Sequence, residues 1–244
     1  MAAISIIVIT LNEAEHIANL LEDLCQQSKQ DFEVVLVDSA STDATLEIAQ
    51  QYAQRLPQLK IIAMAQRGAS LGRNTGAQAA QHERLLFLDA DVRLAPDFLA
   101  RADWSLTLRP ADVAAVYMDV AHASRKAKPG YALFNAGIWI TQFFFPTAIG
   151  ACLFSTRRAH QLIGGFNEQI SLCEDCAYAL AAHRHPQLRF NLLPLSFVFH
   201  PRRLEQDGYL RTGFTYLRAN VRRFFSGELL GNPYQYRFGH YHPA

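Results

Sequence analysis

Cysteine is scarce in this sequence, and the little there is excludes a disulfide scaffold. Four thiols among 244 residues, Cys25, Cys152, Cys173 and Cys176, are too few and too scattered for a small secreted framework and read most simply as free. Cys173 and Cys176 form one C-x-x-C, but a structural zinc takes four ligands and there is no second pair. Charge of one sign is also lacking: 23 basic residues stand against 22 acidic ones, a net +1. That balance excludes a disordered acidic chain and argues against a dedicated nucleic-acid binder, whose domain would be strongly basic. No Lys or Arg precedes the short apolar run ending at Thr10, so the charged leader of a secretory signal is missing, and the run is expected to be the first strand of a cytoplasmic protein. There is no linker rich in Pro, Gly or Ser, no internal repeat and no low-complexity stretch.

What is present is apolar substance, 50% of the residues, enough for a sizeable core. The first half alternates strand and helix patterns with short connections, as an α/β sheet flanked by helices does. Ile4 to Thr10 reads as a buried strand. Asn12, with Glu15 three residues on, reads as the N-cap of a helix whose Ile17, Leu20, Leu21 and Leu24 share one face. Phe32 to Val37 reads as a second strand ending on Asp38, and Ser41 as the cap of a helix running toward Arg55. Leu59 to Ala63 and Leu85 to Leu88 read as further strands, the last ending on Asp89.

Ligands of open α/β sheets bind beyond the carboxyl ends of the strands. Those positions are polar here: Asn12 and Glu13, then Asp38, Ser39, Ser41, Thr42 and Asp43, then Asp89 and Asp91. Helix capping also accounts for Asn12 and Ser41, and a solvated turn for Asp89-Ala90-Asp91. Residues leaving a strand alternate in direction, however, so both carboxylates of that D-x-D can face one site. Two hard oxygen ligands suit Mg²⁺ or Mn²⁺. Arg67 to Gly76 spaces glycines four apart at 68, 72 and 76, which is neither G-x-G-x-x-G nor a Walker A loop. Near the helical period, such glycines let a helix backbone lie close against another element. Arg67 and Arg73 then either reach a nucleotide or sit in solvent as helix-end charges.

Taken in order, Ser5-Ile6-Ile7-Val8-Ile9-Thr10-Leu11-Asn12-Glu13, Val37-Asp38-Ser39-Ala40-Ser41-Thr42-Asp43, Gly72-Arg73-Asn74-Thr75-Gly76, Phe87-Leu88-Asp89-Ala90-Asp91, Gly164-Gly165-Phe166-Asn167-Glu168 and Glu174-Asp175 closely resemble the family 2 glycosyltransferases of the GT-A fold. The resemblance runs from Ile4 to about His200. It departs where Ile9 replaces a usual proline and where the Q-x-x-R-W of processive synthases is missing, which points to transfer of single sugars. It implies a Rossmann-like mixed sheet flanked by helices, and a nucleoside-diphosphate sugar donor whose base sits near Thr10, Asn12, Glu13, Asp38 and Arg73. It also implies a Mn²⁺ or Mg²⁺ ion held by Asp91, with Asp89 facing the ribose or the ion's outer shell. His200 looks like the histidine that many such enzymes add as a metal ligand, an exposed strand-end His being the plain alternative. Asp175 of the Glu174-Asp175 pair matches the family's general base in an inverting displacement, helix capping being its alternative. The acceptor, a hydroxyl on a saccharide, lipid or small molecule, is not readable.

Tyr131 to Ser155 has no charged residue over 25 positions, long enough to span a bilayer. A span would place Asp91 and Asp175 on opposite sides, and Asn135, Gln142, Pro146 and Gly150 interrupt it. The expectation is therefore an apolar helix from Tyr131 to Phe145 and a core strand from Ala148 to Phe154. Farther on, Leu210, Phe214, Leu217, Val221 and Phe224 recur at helical spacing with Arg211, Arg218, Arg222 and Arg223 between them. This C-terminal amphipathic helix either packs its apolar stripe on the domain or lies peripherally on an anionic membrane. One domain is expected, with a donor half over 1–91, an acceptor half over 92–200, and 201–244 as the basic helix and tail. Two rivals to the transferase reading are a sugar nucleotidyltransferase, which would carry a glycine-rich basic loop after strand one where Asn12-Glu13 stand, and a catalytically silent nucleotide-sugar binder.

Overall fold

A computed structural model describes residues 3–56, 58–199 and 207–231. Strand β1 (Ile4–Thr10) is buried at every position and pairs in parallel with β2 (Phe32–Asp38) and β4 (Arg84–Asp89); β3 (Leu59–Ala63) flanks β2. Beyond β4 the sheet turns mixed. β6 (Cys152–Thr156) runs antiparallel to both β4 and β5 (Val113–Met118), and β7 (Phe190–Phe197) lies parallel to β5. The seven strands stand in the order β3-β2-β1-β4-β6-β5-β7, the expected mixed α/β sheet.

Strand alternation divides the core in two. Ile4, Ile6 and Val8 face helix α1 (Ile17–Cys25) and α4 (Phe98–Leu108), packing on Leu20, Leu24, Phe98 and Leu99. Ile7 faces the other way, onto a layer with Phe87, Phe166 and Tyr178. On that side lie α3 (Ala69–Ala79), α6 (Arg157–Ile163) and α7 (Glu174–Arg184). The glycine spacing does what the sequence leads one to expect: a Cβ on Gly72 would lie 3.1 Å from Ile9 Cγ2, and one on Gly76 would overlap Ile7 Cγ2.

Three local expectations need correcting. Helix α1 begins at Ile17, so Asn12 does not cap it; Asn12 sits in the left-handed region with φ 54° and bonds to another loop. Helix α2 (Thr45–Gln51) starts past Ser41 and ends well short of Arg55, and the residue bonding its first N–H is Asp43, whose Oδ1 accepts from Thr45 N at 3.0 Å. The strand expected over Ala148 to Phe154 begins only at Cys152, because Gly150 bends away to meet Asp175. Helix α5 (Lys128–Thr141) accounts for most of the Tyr131 to Phe145 segment. The last described helix, α8 (Tyr209–Ser226), does not pack its apolar stripe: Phe214, Leu217, Val221 and Phe224 are all exposed, while Thr212, Ala219 and Arg223 are buried. Among the described residues, no helix is long and apolar enough to cross a membrane.

Candidate active site

The carboxyl ends of β1, β2 and β4 are level, with Thr10 opposite Asp38 and Ile9 opposite Asp89 in the strand registers. Loops leaving β1 and β2 are knitted together. Asp38 accepts from Thr10 Oγ1 at 2.8 Å and from Ser41 N at 2.9 Å. Asn12 N donates to Ser41 Oγ at 2.8 Å, Asn12 Oδ1 accepts from Thr42 N at 2.8 Å, and Glu13 N donates to Thr45 Oγ1 at 2.8 Å. All but the local Ser41-to-Asp38 bond cross about thirty residues of chain, and together they explain why short polar residues fill both loops: Ser, Thr, Asn and Asp satisfy backbone donors that no regular element serves. The segment thus brings Thr10, Asn12, Glu13 and Asp38 to one edge.

A second group forms around Arg73, which α3 delivers to the edge of the sheet. Its guanidinium, only 3% exposed, donates to Asp89 Oδ1 at 2.9 Å and Glu174 Oε1 at 2.8 Å, with the Gly150 carbonyl at 3.3 Å. It also lies 5.3 Å over the Phe166 ring. Burial works against the charge on Arg73, but Asp89, Glu174 and Asp175 outweigh it and keep the group cationic. Glu174 titrates above the usual carboxylate range because it is buried and beside Asp175, with Arg73 pulling the other way. Asp175 sits in the first turn of α7. Its Oδ2 accepts from Gly150 N and its Oδ1 from Cys176 N at 2.7 Å. A Cβ at Gly150 would stand 2.9 Å from Arg73 Nη2 and 3.1 Å from Asp175 Oδ2, so a side chain there would press on both groups.

Asn74, the neighbour of Arg73, ties α3 to the Gly-Gly-Phe turn as one peptide pairs with another. Its Oδ1 accepts from Phe166 N at 2.8 Å and its Nδ2 donates to Phe166 O at 2.9 Å. The motif order thus becomes spatial contact: Gly-Arg-Asn-Thr-Gly holds Asp89 through Arg73 and Gly-Gly-Phe through Asn74. All three positive-φ non-glycine residues among those described, Asn12, Ala40 and Cys173, lie in the loops beside these groups. Such backbone conformations concentrate where a site overrides local preference.

Asp91 lies outside the Arg73 group, on a cleft of about 290 Å³ that it lines with Arg93, His122, Tyr131 and Phe199. Arg93 pairs with Val198, bringing the end of the last strand beside the D-x-D segment. His200, the expected third ligand, lies outside the described residues. Among the described residues, which exclude His200, no group of three His, Cys, Asp or Glu could hold a metal. The donor set suits an ion that retains its phosphates and waters, since Mg²⁺ and Mn²⁺ need only one or two carboxylates from the protein. Asp89 has one oxygen committed to Arg73, and its side chain is 34% exposed.

The family resemblance implies Arg73 near the nucleobase, whereas the structure buries it among carboxylates. Gly150 and Asn74 join the site without any chemical signature in the sequence beyond their place in the 131–155 and Gly-Arg-Asn-Thr-Gly stretches, and Ala40 carries no local signal for its positive φ. Cys173 and Cys176 are buried free thiols.

Comparison with known proteins places these features in a lineage. Residues 5–123 match the model of Glycosyl transferase family 2. The chain is 34% identical over 193 residues to a PGL/p-HBAD biosynthesis glycosyltransferase of Mycobacterium bovis BCG, covering 75% of this chain and 71% of that protein. It is also 34% identical over 88 residues to the cholesterol galactosyltransferase of Borreliella burgdorferi, covering 36% of this chain and 25% of that one. Several further curated relatives are matched over only about a quarter of their length. A mannosyltransferase of Pyrobaculum calidifontis, solved with GDP-Man and Mn²⁺, superposes with TM-score 0.68 at 23% identity, covering 89% of this chain and 64% of that one. That likeness shows the fold, which is the GT-A fold.

Proposed function

The chain belongs to the family 2 glycosyltransferases, and from that membership we propose that it moves one sugar from a nucleoside-diphosphate sugar to a hydroxyl acceptor, with inversion at the anomeric carbon. The observation that carries the proposal is the convergence of Asp89, Glu174 and Asp175 on the buried Arg73 and Gly150, at the edge where Thr10 and Asp38 also end. The nucleoside lies against Thr10, Asn12, Glu13 and Asp38, with Asp89 toward its ribose. Arg73 acts as a positioning residue that fixes Asp89 relative to Glu174. Asp91 and His200 would hold Mn²⁺ or Mg²⁺, with Asp89 beside them toward the ribose or the ion's outer shell. Bound there, the ion supplies Lewis-acid neutralisation of the departing diphosphate. The Mn²⁺ and GDP-Man in the Pyrobaculum mannosyltransferase support the use of a divalent metal and a nucleotide sugar, without assigning residues.

Asp175 is the general base. As the acceptor oxygen bonds to the anomeric carbon and the bond to the diphosphate breaks, a carboxylate oxygen of Asp175 takes the hydroxyl proton, and this single displacement inverts the centre. Two backbone N–H donors aim the carboxylate and still leave each oxygen able to accept a further hydrogen. The missing Q-x-x-R-W favours transfer of single sugars.

The test is Asp175→Asn. Asn lacks a basic oxygen pair, so turnover should fall by roughly 10² to 10⁴ with donor affinity retained. Since Asp175 accepts from two separate N–H groups and Asn has one acceptor, the variant should also lose about 1 kcal/mol of stability while staying folded. Glu174→Gln is the control and should slow the chemical step less. In the same assay, EDTA should abolish transfer and added Mn²⁺ or Mg²⁺ restore it. Turnover above about a tenth of wild type in Asp175→Asn, a barrier change under roughly 1.4 kcal/mol, would move the base elsewhere.

A further inference from the structure

The chain just before and just after α5 meets the two ends of α8. Near their starts, Arg125 and Lys126 share a cavity with Tyr209; near their ends, the Phe145 and Phe224 rings are 5.3 Å apart and those of Phe144 and Phe224 6.5 Å. Helix α8 is docked through Ala219 and Tyr216 onto Leu172, Cys173 and Cys176, and through Arg223, whose guanidinium pairs with Glu228 and lies 5.1 Å over Phe145. That anchoring uses one face. The opposite face is apolar and bare: Phe214 is 66% exposed, Leu217 61% and Phe225 79%, and α5 with its following turn adds Leu133, Trp139, Ile140, Phe143 and Phe144, all above half exposed. Isolated exposed apolar residues are ordinary, but a continuous two-helix surface is not.

The charges around this surface select its occupant. Arg211, Arg218 and Arg222 of α8 are exposed, as are Arg125, Lys126 and Lys128 at the start of α5. No Asp or Glu occurs anywhere in 120–167 or 209–226. A second copy meeting this face by a twofold axis would bring like charges together, which is costly. The tail over 232–244 contains no acidic residue either, so it offers no complement. An anionic bilayer supplies both complements, apolar depth for Trp and Phe and negative headgroups for the arginines.

We propose that α5 and α8 form a docking surface for an anionic lipid bilayer. The turn after α5 leads directly to Gly150 at the Asp175 carboxylate, and α8 packs beside Cys173 and Cys176 at the start of α7. Docking therefore presents the candidate base to the headgroup zone, and the acceptor class that follows is a hydroxyl carried on a lipid. That last step rests on the glycosyltransferase reading; the docking does not.

The experiment is co-sedimentation of the full chain, without sugar or metal, with vesicles of phosphatidylcholine alone or mixed equally with phosphatidylglycerol. Partitioning should be strong on the mixed vesicles, weak on phosphatidylcholine, and reduced when salt rises well above about 0.1 M, where screening extends over only ~10 Å or less. Phe214→Ser with Phe225→Ser, and separately Arg218→Glu with Arg222→Glu, should each lower it by roughly tenfold or more while leaving hydrolysis of the sugar donor unchanged. Absence of wild-type partitioning, partitioning by both variants undiminished from wild type, or a lipid-free dimer that the Phe substitutions dissolve would overturn the proposal. Vesicle binding without any sugar transfer would leave docking intact and remove the transferase reading instead.

Discussion

Arg73 shows how far a single side chain can depart from its sequence-level expectation. Between Gly72 and Asn74 it reads as a cation available to a ligand, because helix-end arginines usually project into water. Packing decides otherwise: Gly72 and Gly76 let α3 settle against Ile9 and Ile7, and this carries Arg73 inward to a position where three carboxylates surround it. A guanidinium can serve Asp89 and Glu174 simultaneously because its donors are fixed in a planar fork, whereas a lysine ammonium is a single point on a flexible stem. Arg73→Lys should therefore lose one of the two pairs and leave a part-buried carboxylate unsatisfied. The expected cost is about 1–3 kcal/mol in denaturant unfolding, below the ~3–5 kcal/mol of removing a buried charge outright, because the charge survives. Turnover should fall with the altered setting of Asp89. A variant as stable as wild type would show that the bridge is not structural.

At the scale of elements, period was legible and partnership was not. The strands Ile4 to Thr10 and Leu59 to Ala63 stand where β-branched runs place them, and the four-residue glycine spacing yields a close helix-to-strand contact. Asn12 and Ser41, by contrast, carry the residue types of helix caps, yet each spends its side chain on the other's loop about thirty residues away, a contact no local window contains. Helix α8 makes the same point: its stripe was evident from spacing, but which face the domain would cover depends on Thr212, Ala219 and Arg223 meeting the start of α7. The helix-to-strand contact of α3 is open to a direct test. In Gly76→Ala the new methyl would overlap Ile7 Cγ2 in the middle of β1, where a β-branched side chain buried on both sides cannot swing away, and would also lie 3.2 Å from Val37 Cγ2. Overpacking of this kind costs roughly 1–3 kcal/mol, and the better helix propensity of Ala returns at most about 1. The urea midpoint should drop accordingly. Gly72→Ala, with 3.1 Å to Ile9 Cγ2, should cost less, and a reversed order of the two would mean that α3 shifts bodily rather than resisting.

The whole molecule is held across its parallel and antiparallel halves by an aromatic cluster that the sequence motifs only partly announced. Phe87 from β4 meets Phe166 edge-on at 5.0 Å, Phe166 stacks on Tyr178 of α7 at 4.3 Å, and His160 of α6 lies within 6.0 Å of all three rings. Burial lowers the His160 pKa from 6.5 to about 4, so the imidazole is neutral in the fold at pH 7, with its Nδ1 3.2 Å from the Tyr178 hydroxyl. A base whose folded pKa is depressed contributes fully above its unfolded pKa and loses that contribution as pH falls. Between pH 6.5 and about 4 the unfolded chain takes up a proton that the folded chain refuses, so unfolding free energy should decline by up to ~1.4 kcal/mol per pH unit from this group alone. Because the ring is part-buried, the total loss is on the order of 2–3 kcal/mol. His160→Phe keeps an aromatic ring in the cluster and removes the titration; Tyr178 retains Ser155 Oγ at 2.7 Å. Urea unfolding at pH 7, 6, 5 and 4 should then show wild type losing stability faster than the variant across this window. Parallel curves would mean that His160 protonates without leaving its aromatic neighbours and that acid sensitivity lies with the carboxylates instead.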